Sequence, residues 1–294
     1  MNSLYLGCIL ISLAALSSAW FIHHKTWAEE WELTLGHVLS YWGLIWWFGS
    51  GLHEHHVHVA EDLVYGVSLI FVTASCLTSH ILQRRLGWSD LSWPPLLLLP
   101  AMVCFLLPEM PHHPLAQGGW FAWPAAFTVH WWLLYQREDE MPTLYRSLLH
   151  GGTVWFMTFL ATWELGWQVH FFLGSTGSWL TISRGIVAIT MLFAILSVNL
   201  PVWPWRKHEE LYLGIVAVPL AAAVLFWTVL VSLGNTGDAW PFPWLPLFNP
   251  LDLAIAGALA ALGLWIARLQ KLPGLCEFVS VNRQVVQWLG AAVF

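Results

Sequence analysis

LYLGIVAVPLAAAVLFWTVLVSL, residues 211–233, is a run of apolar and small residues without a single charge. A bilayer core about 30 Å thick needs roughly 20 helical residues to cross, so the stretch predicts a transmembrane helix. Runs of comparable character recur at 3–22, 34–52, 63–82, 92–107, 119–136, 149–171, 179–200 and 251–270, separated by segments rich in Pro, Gly, His and charge. The expected fold is all-α: a polytopic transmembrane helix bundle of about nine spans, forming a single membrane domain over residues 1–294. A further apolar stretch, 285–294, is about half as long as a crossing requires. It is expected to be a partial tenth span, and the chain a C-terminally truncated fragment.

Composition supports the class. Of 294 residues 58% are hydrophobic and 10% charged, against about a quarter charged in a soluble domain. Too few polar residues are present to cover a water-facing surface, whereas lipid tolerates an apolar one. The net charge of −6 is spread over short clusters and makes no acidic or basic face. Membrane lipids are therefore the expected surroundings and envelope proteins the candidate partners, with no nucleic acid. Cys8, Cys76, Cys104 and Cys276 form no ligand spacing and read as small apolar residues.

Basic residues in alternate loops set the expected orientation, because short cytoplasmic loops retain Lys and Arg. Lys25, Arg84, Arg85, Arg137, Arg146, Arg206, Lys207, Arg268, Lys271 and Arg283 all fall on one side of this span list, and the other side has neither Lys nor Arg. The N-terminus is expected outside. The 23 tryptophans gather at span ends, where their amphipathic rings suit the membrane interface.

Ionisable residues within spans are costly unless paired or hydrated. Glu164 and Arg184 sit at similar depth below the outer surface on consecutive spans, so an ion pair between them, lining an outer-leaflet cavity, is expected. Asn249, Pro250 and Asp252 form a helix-start signal: Asn caps, Pro suits the first position, and Asp meets the positive end of the helix dipole. A ligand role for Asn249 or Asp252 on the same outer side is the functional extension. His53, His55, His56 and His58, in an outer loop, are the densest group of potential metal ligands; neutral imidazoles bind zinc, copper or nickel. His37, His130 and His150 lie toward the basic ends of their spans, where bis-histidine haem ligation would need a facing pair; no cofactor is assigned. Neither a Gly-rich phosphate loop nor a nucleophilic serine motif occurs.

The stretches Leu148-Leu149-His150-Gly151-Gly152, Thr162-Trp163-Glu164, Trp203-Pro204-Trp205, Glu210-Leu211-Tyr212-Leu213-Gly214 and Leu245-Pro246-Leu247-Phe248-Asn249-Pro250-Leu251-Asp252-Leu253 resemble the bacterial predicted-membrane-protein family named domain of unknown function (DUF) 2339. The resemblance covers roughly the second half of the chain. It implies a multi-pass bacterial inner-membrane protein and supplies no catalytic residues. The functional expectation is an envelope transport or assembly component with an outer-facing cavity. The alternatives are a membrane-embedded transferase acting on lipid-linked substrates at the outer face, with Glu164 or Asp252 as base, and a metal- or redox-handling protein.

Overall fold

The computed structural model describes residues 3–109, 112–174, 177–197, 203–234, 237, 245 and 247–271, and among these every regular element is helical. The partial tenth span expected at 285–294 lies outside the described residues. The chain divides into two compact units, Met1–Glu140 and Met141–Phe294.

The first unit starts with an antiparallel hairpin of α1 (Ser3–His23) and α2 (Glu30–His58). In lipid, leucine packing gains little over leucine in acyl chains, so helices associate where small residues let backbones approach. Ser12, Ala15 and Ala19 are the buried residues of α1, and Gly36, Ser40, Gly43 and Gly51 those of α2. Across this seam Ser12 Oγ donates to the Gly43 carbonyl at 2.8 Å. A Cβ on Gly43 would lie 2.7 Å from Leu16 Cγ, so the approach requires glycine there. The connecting turn is fixed by a capping box between Glu29 and Glu32 and by a 2.7 Å ion pair from Lys25 to Glu32.

The central helix of this unit, α3 (Val64–Leu86), packs against α2, against α6 (Gly119–Arg137) and against the broken pair α4 (Trp93–Leu96) and α5 (Leu98–Glu109). Its buried side is dotted with Ser68, Thr73, Ser75, Ser79 and His80. A 3₁₀ turn, Ser89–Ser92, joins α3 to α4. Arg137 Nη1 donates to the Ser92 carbonyl at 2.7 Å and so fastens the end of α6 to that turn.

In the second unit α8 (Ser178–Leu196) contacts α7 (Thr143–Leu173), α10 (Ala217–Gly234) and α11 (Pro250–Leu269). The short α9 (Glu209–Leu211) runs into a π-helical segment, Tyr212–Val216, before α10. Pro219, without an N–H, sits one turn further on and cannot continue a regular bond ladder back to this segment. Two indoles act on its carbonyls: Trp265 Nε1 donates to Leu213 O and Trp155 Nε1 to Val216 O, each at 2.9 Å. Trp227 Nε1 likewise donates to Thr181 O at 2.9 Å. The sequence assigned tryptophan to the interface; these three instead tie helices together, because the indole N–H is a donor that an apolar interior must satisfy.

Over its described residues each expected span falls on helix, yet only five helical stretches are both long and apolar enough to cross, among the described residues: Ser3–His23, Val64–Leu86, Ser178–Leu196, Glu209–Gly234 and Pro250–Leu269. The pair Ser89–Leu96 and Leu98–Leu107, bent by 40°, makes a sixth if counted as one span. This corrects the expected nine. α2, α6 and α7 have sufficient length, at 29, 19 and 31 residues. They fall short because His, Trp, Gly, Glu and Gln interrupt their apolar content.

A Cβ on Gly185 would lie 2.4 Å from the Trp227 ring. Gly185→Ala should therefore displace the indole, break its bond to Thr181 and destabilise the fold by about 1–3 kcal/mol, the usual cost of overpacking. Reversible unfolding in detergent, compared with Gly263→Ala, where a Cβ meets nothing within 4 Å, checks this.

Candidate functional site

The polar centre of the first unit forms where α1 ends, α2 begins and the 3₁₀ turn passes beneath them. Asp90, 3% exposed, is carried by that turn. A buried carboxylate must be hydrogen-bonded, and two imidazoles meet it. His23, at the last position of α1, donates from Nε2 to Asp90 Oδ2 at 2.9 Å; His37, two turns into α2, donates from Nδ1 to Asp90 Oδ1 at 2.7 Å. The imidazole centroids are 4.6 Å apart. One ligand atom from each of His23, His37 and Asp90 falls within 4.8 Å of the others. Gly36 makes room, since a Cβ there would stand 3.2 Å from His23 Nε2. His24 Nε2 donates to the Leu86 carbonyl at 2.9 Å and holds the end of α1 on α3.

Beside this cluster runs an apolar groove of about 540 Å³ between α1, α2 and α3. Trp20, Trp88 and Leu91, neighbours of the cluster in the chain, line one end; Trp47, Phe71 and Ser75 line the other. The indole N–H groups of Trp20 and Trp88 are buried and have no hydrogen-bond partner among the described residues. A second groove of about 330 Å³ lies toward the start of α1 and the end of α2, lined by Tyr5, Trp42, Trp46, His53 and Glu54 among others. Trp46 Nε1 there is also buried without a partner among the described residues.

His53, His55, His56 and His58, expected in a loop, occupy the last turns of α2. Helical geometry points successive residues about 100° apart, so the four fan around the axis and do not form a group of converging ligands. His58 Nε2 bonds Glu54 Oε1 at 3.0 Å. His55 Nδ1 lies 3.5 Å from Ser68 Oγ, and its ring meets Phe71 edge-on. Burial holds the His55 imidazole below its ordinary pKa, the adjacent Glu54 carboxylate opposing that shift.

Glu164 and Arg184 do not form the expected direct ion pair. Glu164 accepts a hydrogen bond from Gln168, one turn along α7, while Arg184 is on the exposed side of α8. Asn249 and Asp252 serve the helix start. Asn249, 1% exposed, accepts from Leu251 N at 2.9 Å and donates to the Gly237 carbonyl; Asp252 accepts from Leu247 N at 3.2 Å. His150, also buried, bonds Tyr212 Oη through Nδ1 at 3.0 Å, and its ring lies 4.8 Å from that of His208.

The model of the predicted membrane protein family DUF2339 matches residues 3–294. The chain belongs to this family. The match takes in both units, so the likeness read in the second half extends over the first as well. Searches of curated proteins and of solved structures gave no match. The family is one of membrane proteins without an assigned activity, and the site stands on its geometry.

The cluster of His23, His37 and Asp90 escaped sequence reading because its members are far apart in the chain. A signal existed: His23 closes one helix and His37 lies near the start of the next, so an antiparallel hairpin brings them level. Removing the shared acceptor should expose the arrangement. Asp90→Ala leaves the part-buried His23 donor unmet and strips half-exposed His37 of its acceptor, which should cost about 1–3 kcal/mol, whereas replacing exposed His53, His56 and His58 with alanine should stay within about 0.5 kcal/mol. Thermal unfolding of both variants in detergent measures the difference.

Proposed function

We propose that this chain is an envelope transport or assembly component of a bacterial inner membrane that binds an amphiphile in the groove between α1, α2 and α3. One observation carries the reading: an apolar cleft of about 540 Å³ is bordered by two buried indole N–H groups, those of Trp20 and Trp88, without acceptors among the described residues. An acyl or isoprenoid chain suits the apolar walls, and an ester or phosphate oxygen at its end supplies the acceptor that a buried donor requires. The groove lies at the end of the unit where Arg84 and Arg85 close α3 and Lys25 follows α1. Lys25 and Arg84 are paired with Glu32 and Glu140, and Arg85 favours an anionic headgroup. The ligand is thus assigned to the basic end of the first unit, not to an outer cavity near Glu164, Arg184, Asn249 and Asp252.

The transferase alternative, acting on lipid-linked substrates, draws on a different observation. His37 is hydrogen-bonded to Asp90 close to the groove, an arrangement that orients an imidazole as a general base. Glu164 and Asp252, each already engaged, are weaker choices for that role.

A photoactivatable diazirine-acyl phosphatidylglycerol, incorporated in vesicles with the purified chain, tests the groove. Crosslinks should concentrate on α1 and α3 residues of the cleft. Ala74→Trp, which fills the cleft, should lower their yield at least about tenfold, corresponding to about 1.4 kcal/mol. Uniform crosslinking along all apolar helices, unchanged in Ala74→Trp, overturns the reading.

The charge asymmetry further assigns the basic ends to the cytoplasm. In a cysteine-free chain, Glu61→Cys should react with a membrane-impermeant maleimide in intact cells and Ser89→Cys, beyond the other end of the span Val64–Leu86, only after lysis. Both positions are exposed, and the reverse pattern would invert the orientation.

A further inference from the structure

We infer that His23, His37 and Asp90 form a binding site for one divalent transition-metal ion, with zinc the best chemical match. Two imidazole nitrogens and a carboxylate oxygen are a donor set for zinc and its neighbours, whereas magnesium and calcium favour oxygen alone. The geometry is close to what binding requires. One ligand atom from each residue lies within 4.8 Å of the others, and each imidazole nitrogen is close to its own carboxylate oxygen, His23 Nε2 at 2.9 Å from Oδ2 and His37 Nδ1 at 2.7 Å from Oδ1. Metal–ligand bonds of about 2.0–2.2 Å in a tetrahedral site imply edges of about 3.3 Å, so entry of the ion spreads the cluster by about half an ångström.

The surroundings allow that movement on one side and direct it on the other. His37, with 49% of its side chain exposed, can swing outward, while Asp90 is 4% exposed and His23 13%. Gly36, without a side chain, leaves the space over His23 Nε2 that a Cβ would crowd. In the metal-free form each imidazole presents an N–H to the carboxylate. On binding, a neutral imidazole shifts that proton to its other ring nitrogen and coordinates with the freed lone pair; a protonated one releases a proton.

Three protein ligands leave at least one coordination position for water or a substrate oxygen, the pattern of a reactive zinc site; structural zinc is closed by four protein ligands. Trp88 and Leu91, which flank Asp90, and Trp20, one turn before His23, line the amphiphile groove. That open position is therefore adjacent to the end of the cleft where a headgroup would lie. Metal binding itself does not rest on the groove reading, because the ligand set is complete without it.

The full chain, purified in detergent with chelator, exchanged into chelator-free buffer and loaded with zinc alone, should retain stoichiometric metal by elemental analysis after gel filtration. Cobalt in place of zinc should give visible absorption bands of a low-coordinate nitrogen–oxygen site. Asp90→Asn and His37→Gln should weaken zinc binding by at least about tenfold, and zinc should raise the Tm of the parent chain but not of His37→Gln. Since His37 is half exposed and glutamine keeps a donor toward Asp90, that variant reports on binding even where Asp90→Asn fails to fold. Changing His53, His55, His56 and His58 together to alanine should leave retention unchanged. Three results would each overturn the site: no stoichiometric zinc in the parent chain, parental affinity in His37→Gln, or loss of metal in the fourfold variant. Crosslinking of the acyl probe without zinc would fail or succeed separately, so the two readings remain distinguishable.

Discussion

Ser12 Oγ, buried between two helices, donates to the backbone carbonyl of Gly43, and this is possible only because the helices nearly touch. Close approach is the constraint on which the first unit depends. In lipid there is no water to expel from between apolar helices, so van der Waals contact at small residues and a few polar ties supply the specificity that burial supplies in water. Bringing α1 against α2 places His23 level with His37. Both then face the 3₁₀ turn that carries Asp90. The same seam leaves Leu16, Trp20 and Leu44 angled toward α3, where they wall the apolar groove.

The second unit meets the constraint with indoles. Trp155, Trp227 and Trp265 each donate to a main-chain carbonyl on another helix. Gly185 admits the Trp227 ring by having no side chain. α8 can accordingly serve as the common surface for α7, α10 and α11. Most exposed residues of these helices are apolar, Phe226 and Leu233 for example at 66% and 82% exposure, as suits helices that face acyl chains.

Helix positions were legible in the sequence because length and apolar content are local properties. The start of α11 was legible to the residue: Asn249 caps, Pro250 opens the helix and Asp252 accepts a backbone N–H. The apolar criterion for crossing was less legible at α2, α6 and α7, where tryptophan and histidine occupy positions that a length count accepts. The His53–His58 group was misplaced in a loop since histidines and Glu54 look like loop composition; a helix persists there because each still completes the backbone ladder. Asp90 could not be recognised as a site residue from its neighbours Ser89 and Leu91. Its importance comes from what two other segments bring to it. Glu164 and Arg184 were paired by depth alone, and depth says nothing about which way a helix face is turned.

The π-helical segment before α10 bears on that last point. A π turn holds one residue more than the α turn it replaces, and each residue of an α-helix advances the face by about 100°. Deleting one residue from Tyr212–Val216 would remove the extra residue of the π turn, while Pro219 would still leave one ladder bond unmade. It would also rotate everything after it, carrying Val224, Thr228 and Val231 off the buried side of α10 and turning Trp227 away from Gly185. The extra residue works as a phase setting for the helix: a change in the number of residues there turns every side chain that follows.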